Sequence, residues 1–146
     1  MAVKTITLET ELLKSAVYRS LSGTQKNMLN DFLMKRRLSK HKGTWQIVNN
    51  GDIVYTYNEG KLNGISRSNF MKCLDALIEK GFIDVYHSGN GGKKGDKSLY
   101  WISNRWEKWG TDSFVEKKRP KDARCKRGFA AHPERRKKKI STQKCG

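Results

Sequence analysis

The chain has 146 residues, of which 31 are Lys or Arg and 14 are Asp or Glu, so its formal net charge is +17. This length supports one domain with a modest core, and no stretch approaches the roughly 20 apolar residues of a membrane-spanning helix. The excess of positive charge favours a polyanionic partner, because Lys and Arg that neutralise phosphates release condensed counterions.

The first strong helix signal begins at Ser22, which has Gln25 three residues later. A Ser and a Gln at this spacing form a capping box, since each side chain can bond to the other residue's backbone N–H. Apolar residues then recur at helical spacing, at Met28, Leu29, Phe32 and Leu33. Apolar residues upstream predict a short helix or turn against the same core: Leu12, Leu13, Val17, Tyr18 and Leu21.

Residues 45–57, WQIVNNGDIVYTY, favour β-structure on both sides of an Asn-Asn-Gly turn signal. One strand is predicted near residues 53–56, and a hairpin about the Asn-Asn-Gly turn is an alternative. Residues 58–64, NEGKLNG, predict a short helix that closes at Gly64, because Gly readily takes the left-handed conformation that ends a helix.

Residues 63–85, NGISRSNFMKCLDALIEKGFIDV, predict a second capped helix. Ser66 is the expected N-cap and Gly81 the expected C-terminal stop. The face directed at the core consists of Phe70, Leu74, Leu77 and Ile78, and Cys73 beside it is expected to be buried. The opposite side and its flank carry Arg67, Ser68, Asn69, Lys72, Asp75 and Glu79.

Residues 81–103, GFIDVYHSGNGGKKGDKSLYWIS, contain two alternating apolar segments around a loop of Gly, Lys and Asp. This pattern predicts a β-hairpin with a long cationic tip that contains Lys93, Lys94 and Lys97. Trp101 is expected within the last strand, packed in the core or at its edge. Trp106 and Trp109 are expected to fix the departing chain onto the domain, so packing is favoured over nucleic-acid stacking.

Residues from about Leu12 to Trp106 resemble winged helix-turn-helix DNA-binding proteins of bacterial phage, plasmid and chromosomal regulator type. The resemblance lies in SAVYRSLSG, in NNG, in GISRSNFMKCLDALIEKGFIDV, in the glycine-rich loop and in SLYWIS. It implies an α+β winged helix-turn-helix, whose second helix enters the major groove while a small antiparallel β wing touches the backbone or minor groove.

The helix after Ser66 has the side chains that such a role requires. Arg67 and Asn69 are the expected base readers, because Arg can donate twice to guanine and Asn can pair twice with adenine. Asp75 and Glu79 would repel phosphate, so the helix is expected to enter the groove by its N-terminal end. The candidate DNA-binding residues are Ser66, Arg67, Ser68, Asn69, Lys72, Lys93, Lys94 and Lys97.

Residues 117–146 form a predicted basic tail behind a domain of residues 1–116. The tail holds thirteen Lys or Arg against two acids, Asp122 and Glu134, which leaves a charge of +11. It has too few apolar residues to fold alone, and we expect a largely disordered arm that adds affinity without reading sequence.

No catalytic constellation, cofactor motif or metal-ligand spacing is present, so the chain is not expected to be an enzyme. The predicted partner is double-stranded DNA, in transcription regulation or in DNA replication. RNA or ribosome binding, and a role as a protein-interaction module, remain alternatives. No membrane partner is expected, and a homodimer is possible. The absence of a secretory signal favours the cytoplasm, and a DNA-binding role there would place the protein at a prokaryotic nucleoid.

Overall fold

The computed structural model describes residues 5–89 and 95–120, and this part of the chain is α+β, with five α-helices and two small antiparallel sheets. The helices are α1 (Thr10–Lys14), α2 (Ala16–Arg19), α3 (Gly23–Lys35), α4 (Tyr57–Leu62) and α5 (Arg67–Glu79). The strands are β1 (Leu38–His41), β2 (Thr44–Ile47), β3 (Ile83–His87) and β4 (Leu99–Ile102). A 3-10 helix, Arg105–Lys108, follows β4.

The predicted capping box of α3 is confirmed. Ser22 Oγ accepts from the backbone N–H of Gln25, and Gln25 Oε1 accepts from the N–H of Ser22 at 3.0 Å. The four apolar residues predicted for this helix are all buried, and α3 packs against α5. Upstream, α1 and α2 bury Leu12 and Val17, whereas Leu13 points outward and was wrongly predicted to pack.

The region between α3 and α4 differs from the sequence prediction. A hairpin forms earlier than expected, with β1 paired to β2 around Lys42 and Gly43. Both turn residues have positive φ, 48° and 80°, as a tight two-residue hairpin turn requires. The strand predicted near residues 53–56 is reduced to a single bridge between Ile53 and Tyr100.

The Asn-Asn-Gly segment joins this hairpin to the rest of the fold instead of forming a hairpin turn. The Asn49 side chain accepts from the N–H of Arg37 at 2.7 Å and donates to the carbonyl of Lys35 at 2.9 Å. Asn50 exchanges hydrogen bonds with the backbone of Ile102, at 2.9 and 3.2 Å. Asn49 and Asn50 thus bond to distant backbone, and the hairpin considered around the Asn-Asn-Gly turn does not form.

The core lies between α3, α5 and the second sheet. Gly64, with φ of +81°, follows α4, and α5 begins directly after its predicted N-cap, Ser66. Phe70, Cys73, Leu74, Leu77 and Ile78 of α5 are buried, as predicted. The core also holds Phe32 of α3, whose ring stacks on Tyr55 at 4.9 Å.

The predicted C-terminal hairpin is confirmed as β3 paired with β4, with a register shift between Val85 and His87. Trp106 is buried against Phe82, with ring centres 6.2 Å apart. The packing predicted for the other two tryptophans is wrong: Trp101 lies in β4 but faces outward, beside Tyr86 at 6.0 Å, and Trp109 is also exposed. Within the described residues, no helix combines the length and the apolar character that a membrane crossing needs.

Candidate nucleic-acid interface

The N-terminus of α5 is shaped by two serines. Ser66 Oγ accepts from the backbone N–H of Asn69 at 3.3 Å, and it lies 3.2 Å from Ser68 Oγ. Whichever hydroxyl donates to the other, one hydroxyl proton remains available to an anion. All four residues from Ser66 to Asn69 are exposed, so the first turn of the helix presents polar donors to solvent.

Arg67 is held by an aromatic residue that the sequence interpretation missed. Its guanidinium carbon lies 5.4 Å from the centre of the Tyr57 ring, a distance at which the ring face attracts a cation. Tyr57 in turn packs on buried Phe70, with ring centres 4.5 Å apart. The Arg67 side chain is therefore tied to the core while its donors stay exposed. Nothing in the local sequence pattern predicts this contact, because it joins two helices.

The turn between α4 and α5 is fixed to α3 by a polar triad. Tyr55 donates through its hydroxyl to Asp31 Oδ2 at 2.7 Å, and Asn63 donates to the same oxygen at 3.0 Å. Burial, and then the bond to Asp31, raise the pKa of Tyr55 above its ordinary value, so the phenol keeps its donor proton to more alkaline pH than an exposed tyrosine does. This triad therefore ties the residue that follows α4 to the middle of α3.

Further along the helix, Asn69 and Lys72 are exposed, as predicted, but Asp75 is not a bare carboxylate. Arg119 forms a two-pronged ion pair with it, through Nε to Oδ1 at 2.7 Å and Nη2 to Oδ2 at 3.4 Å. This hydrogen bonding raises the pKa of Arg119 and keeps the guanidinium charged. The repulsion expected between Asp75 and phosphate is therefore largely cancelled, and exposed Glu79 alone marks the acidic end of this face.

Arg119 belongs to a segment that we call the strap, residues 114–119, which lies along the domain. The Arg105 guanidinium lies 5.9 Å from the Phe114 ring and donates to the carbonyl of Val115 at 2.7 Å. Lys117 then pairs with Asp84 of β3 at 3.2 Å, before Arg119 reaches Asp75. The first residues of the predicted tail are thus bound to β3 and α5.

The second hairpin, formed by β3 and β4, is braced where it approaches its tip. His87 Nε2 and Asp96 Oδ1 lie 2.8 Å apart, and the N–H of Gly89 donates to Ser98 Oγ at 3.1 Å. Lys97 follows Asp96 and is exposed. The other two predicted tip cations, Lys93 and Lys94, lie outside the described residues.

Among the residues that the structure describes, no group of three or more His, Cys, Asp or Glu is placed to hold a metal ion. No family model, curated protein or solved structure matches the chain. The interface is therefore characterised by its own geometry and charge: a helix N-terminus with two hydroxyls, an anchored arginine, an exposed amide and an exposed lysine.

Proposed function

We propose that the chain is a winged helix-turn-helix protein that binds duplex DNA, as a transcriptional regulator or as a replication-associated module. The order of elements supports this assignment: α3, the Ile53–Tyr100 bridge, α4, a tight turn at Gly64, α5, and then the β3–β4 hairpin. In such a protein α4 and α5 are the two helices of the motif, and β3–β4 is the wing.

One observation carries the proposal: the first half of α5 is exposed and polar to basic, while its other face is entirely buried in the core. A helix held in this way can place its N-terminal turn in a major groove without losing its packing. The partial positive charge at the helix N-terminus adds attraction for phosphate.

Each exposed side chain then has a role in the complex. Arg67, oriented by Tyr57, donates to guanine, and Asn69 pairs with adenine. The hydroxyls of Ser66 and Ser68 donate to phosphate, and Lys72 neutralises phosphate along the groove. Lys97, with Lys93 and Lys94, contacts backbone from the wing. Glu79 lies at the far end of the helix, which keeps that end away from the DNA.

The test is to select bound fragments from a random duplex pool and then measure the affinity of the selected site. Arg67→Ala and Asn69→Ala should each weaken binding to that site by about 5- to 150-fold, because one bidentate base contact is worth about 1–3 kcal/mol. Binding to unrelated duplex should change far less, since phosphate contacts dominate there.

Arg19→Ala is the matched control, because it removes the same charge from an exposed position. Arg19 lies near the C-terminal end of α5, because its neighbour Ser20 accepts a hydrogen bond from Lys80, the residue that follows α5, at 2.8 Å. Equal losses from Arg19→Ala and Arg67→Ala, or tighter binding of structured RNA than of every duplex, would contradict the proposal. A two-fold symmetric consensus would indicate a homodimer.

A further inference from the structure

The first hairpin, β1–β2, is an exposed projection that the proposed function does not use. Every residue of its two strands is exposed except Ile47, which packs against the core. A two-stranded hairpin is marginally stable alone in water, so this one depends on what holds its base. The bonds of Asn49 to Lys35 and Arg37, together with those of Asn50 to Ile102, fix that base to α3 and β4.

The charge of the hairpin is of one sign. Residues 35–48 include five Lys or Arg and no acid. Two of the five have partners elsewhere, since Lys35 pairs with Glu59 and Arg36 donates to the carbonyl of Thr7. Within the described residues, Arg37, Lys40 and Lys42 have no ion pair. The projection therefore presents three uncompensated cations to solvent.

Trp45 lies among these cations and is 64% exposed. It is the cross-strand partner of Lys40, on the same face as Leu38 and Ile47. On this face Ile47 packs against the core, whereas Trp45 lies beyond the edge of the core. An indole on a cationic ribbon has the chemistry that holds an unpaired base, because the ring stacks on the base while nearby lysines hold its phosphates.

We propose that the β1–β2 hairpin is a second nucleic-acid site, which binds a single-stranded DNA segment beside the duplex held by α5. Trp45 stacks on an unpaired base, and Arg37, Lys40 and Lys42 contact the flanking phosphates. Trp45 can stack in this way only where the face of a base is open, so the site discriminates single strands from duplex. A protein partner is disfavoured, because the hairpin has no acidic residue and its cations would repel any protein surface that is not strongly acidic.

The test compares two labelled DNAs, a blunt duplex and the same duplex with a short thymine overhang, by fluorescence anisotropy. The wild-type protein should bind the overhang DNA more tightly than the blunt duplex. Trp45→Ala should lower the affinity for the overhang DNA by about 5- to 150-fold and leave the affinity for the blunt duplex unchanged. Trp45→Phe should keep most of the gain, because it keeps an aromatic face. Trp109→Ala is the control, as it removes another exposed indole.

A Lys40→Gln, Lys42→Gln double variant should lose affinity for the overhang DNA and show a weaker salt dependence. The proposal is overturned when the overhang adds no affinity, when Trp45→Ala weakens both DNAs equally, or when Trp45→Ala changes the sedimentation of the free protein. The last result would assign the hairpin to self-association.

Different results would reject the hairpin site and the α5 interface, so the two proposals can be tested independently. Loss of overhang binding in Trp45→Ala, with no effect of Arg67→Ala on any duplex, would retain this site and reject the α5 interface. The reverse pattern would retain the α5 interface alone.

Discussion

Gly60 is the residue on which the contact between α4 and α5 depends. A Cβ atom at this position would lie 2.6 Å from Phe70 Cδ2 and 2.9 Å from Phe70 Cε2. The Phe70 ring has little room to move, because Tyr55 and Tyr57 flank it with ring centres at 5.6 and 4.5 Å. The absence of a side chain at Gly60 is what lets the two helices approach closely.

Gly60→Ala should therefore destabilise the fold by about 1–3 kcal/mol, the usual cost of overpacking a well-filled core. Chemical denaturation of the variant measures this loss. Gly23→Ala is the matched control, because a Cβ at Gly23 meets nothing within 4 Å. That substitution, in the first turn of α3, should be neutral or stabilising. Equal stabilities of the two variants would mean that α4 does not pack on Phe70 as described.

The strap, an element that the sequence pattern did not indicate, connects the predicted domain and tail. Arg119 of the strap pairs with Asp75 of α5, and Lys117 adds a second cation to Asp84, which Arg105 already bonds at 2.9 Å. The Arg119–Asp75 pair therefore changes the electrostatics of the α5 surface. In this respect Arg119 is a positioning residue for the proposed interface.

Arg119→Ala should weaken duplex binding about fivefold, because an uncovered carboxylate near phosphate costs about 1 kcal/mol at a well-solvated surface. Adding Asp75→Asn should restore affinity to that of Asp75→Asn alone. Titration of a labelled duplex with the four proteins of this double-mutant cycle gives the coupling.

Lys118→Ala serves as the control for this cycle, since Lys118 is an adjacent, exposed cation whose nearest acid, Glu116, is 3.8 Å away. A loss in Arg119→Ala that persists in the Asp75→Asn background would show that Arg119 binds DNA directly. That result would remove the role assigned to Asp75.

At the scale of the whole molecule, charge is divided between residues 1–120 and residues 121–146, and this second part of the predicted tail lies outside the described residues. Residues 121–146 contain ten Lys or Arg and two acids, a net charge of +8. Residues 1–120 carry the remaining +9 of the total of +17. Both parts are therefore basic, and in the part of the chain that the structure describes, Arg67 and Arg119 are held at defined positions.

Removal of residues 121–146 should lower affinity for every duplex by a similar factor, and it should make the slope of log affinity against log salt less negative by about 0.9 per lost phosphate contact. The preference for the selected site should persist, because Arg67 and Asn69 remain. The melting temperature should be unchanged, because Lys117 and Arg119 are kept. A truncated protein that lost its sequence preference would contradict this division of roles.

Local signals predicted much of the architecture. The caps at Ser22 and Ser66 are each a side chain bonded to an N–H three residues later, so the sequence alone contains the whole interaction. The buried face of α5 follows from its helical period, and the β3–β4 hairpin from two alternating segments around a glycine-rich loop. These features need no knowledge of distant residues.

Features decided by contacts between distant segments were missed or misplaced. The hairpin turn lies at Lys42 and Gly43, whereas Asn49 and Asn50 bond to the backbone of Lys35, Arg37 and Ile102. The support of Arg67 by Tyr57 and the pairing of Arg119 with Asp75 join residues whose distance along the chain predicts no contact.

The sequence by itself determined the helix ends, the core faces, the β3–β4 pairing and the exposed first turn of α5, because each depends on residues within a few positions of one another. Only the tertiary structure decided which cations stay uncompensated, as on the β1–β2 hairpin, and which are bound to acids, as on the strap. The physical reason is that an ion pair or an aromatic contact forms wherever packing brings two groups together, and packing is a property of the whole fold.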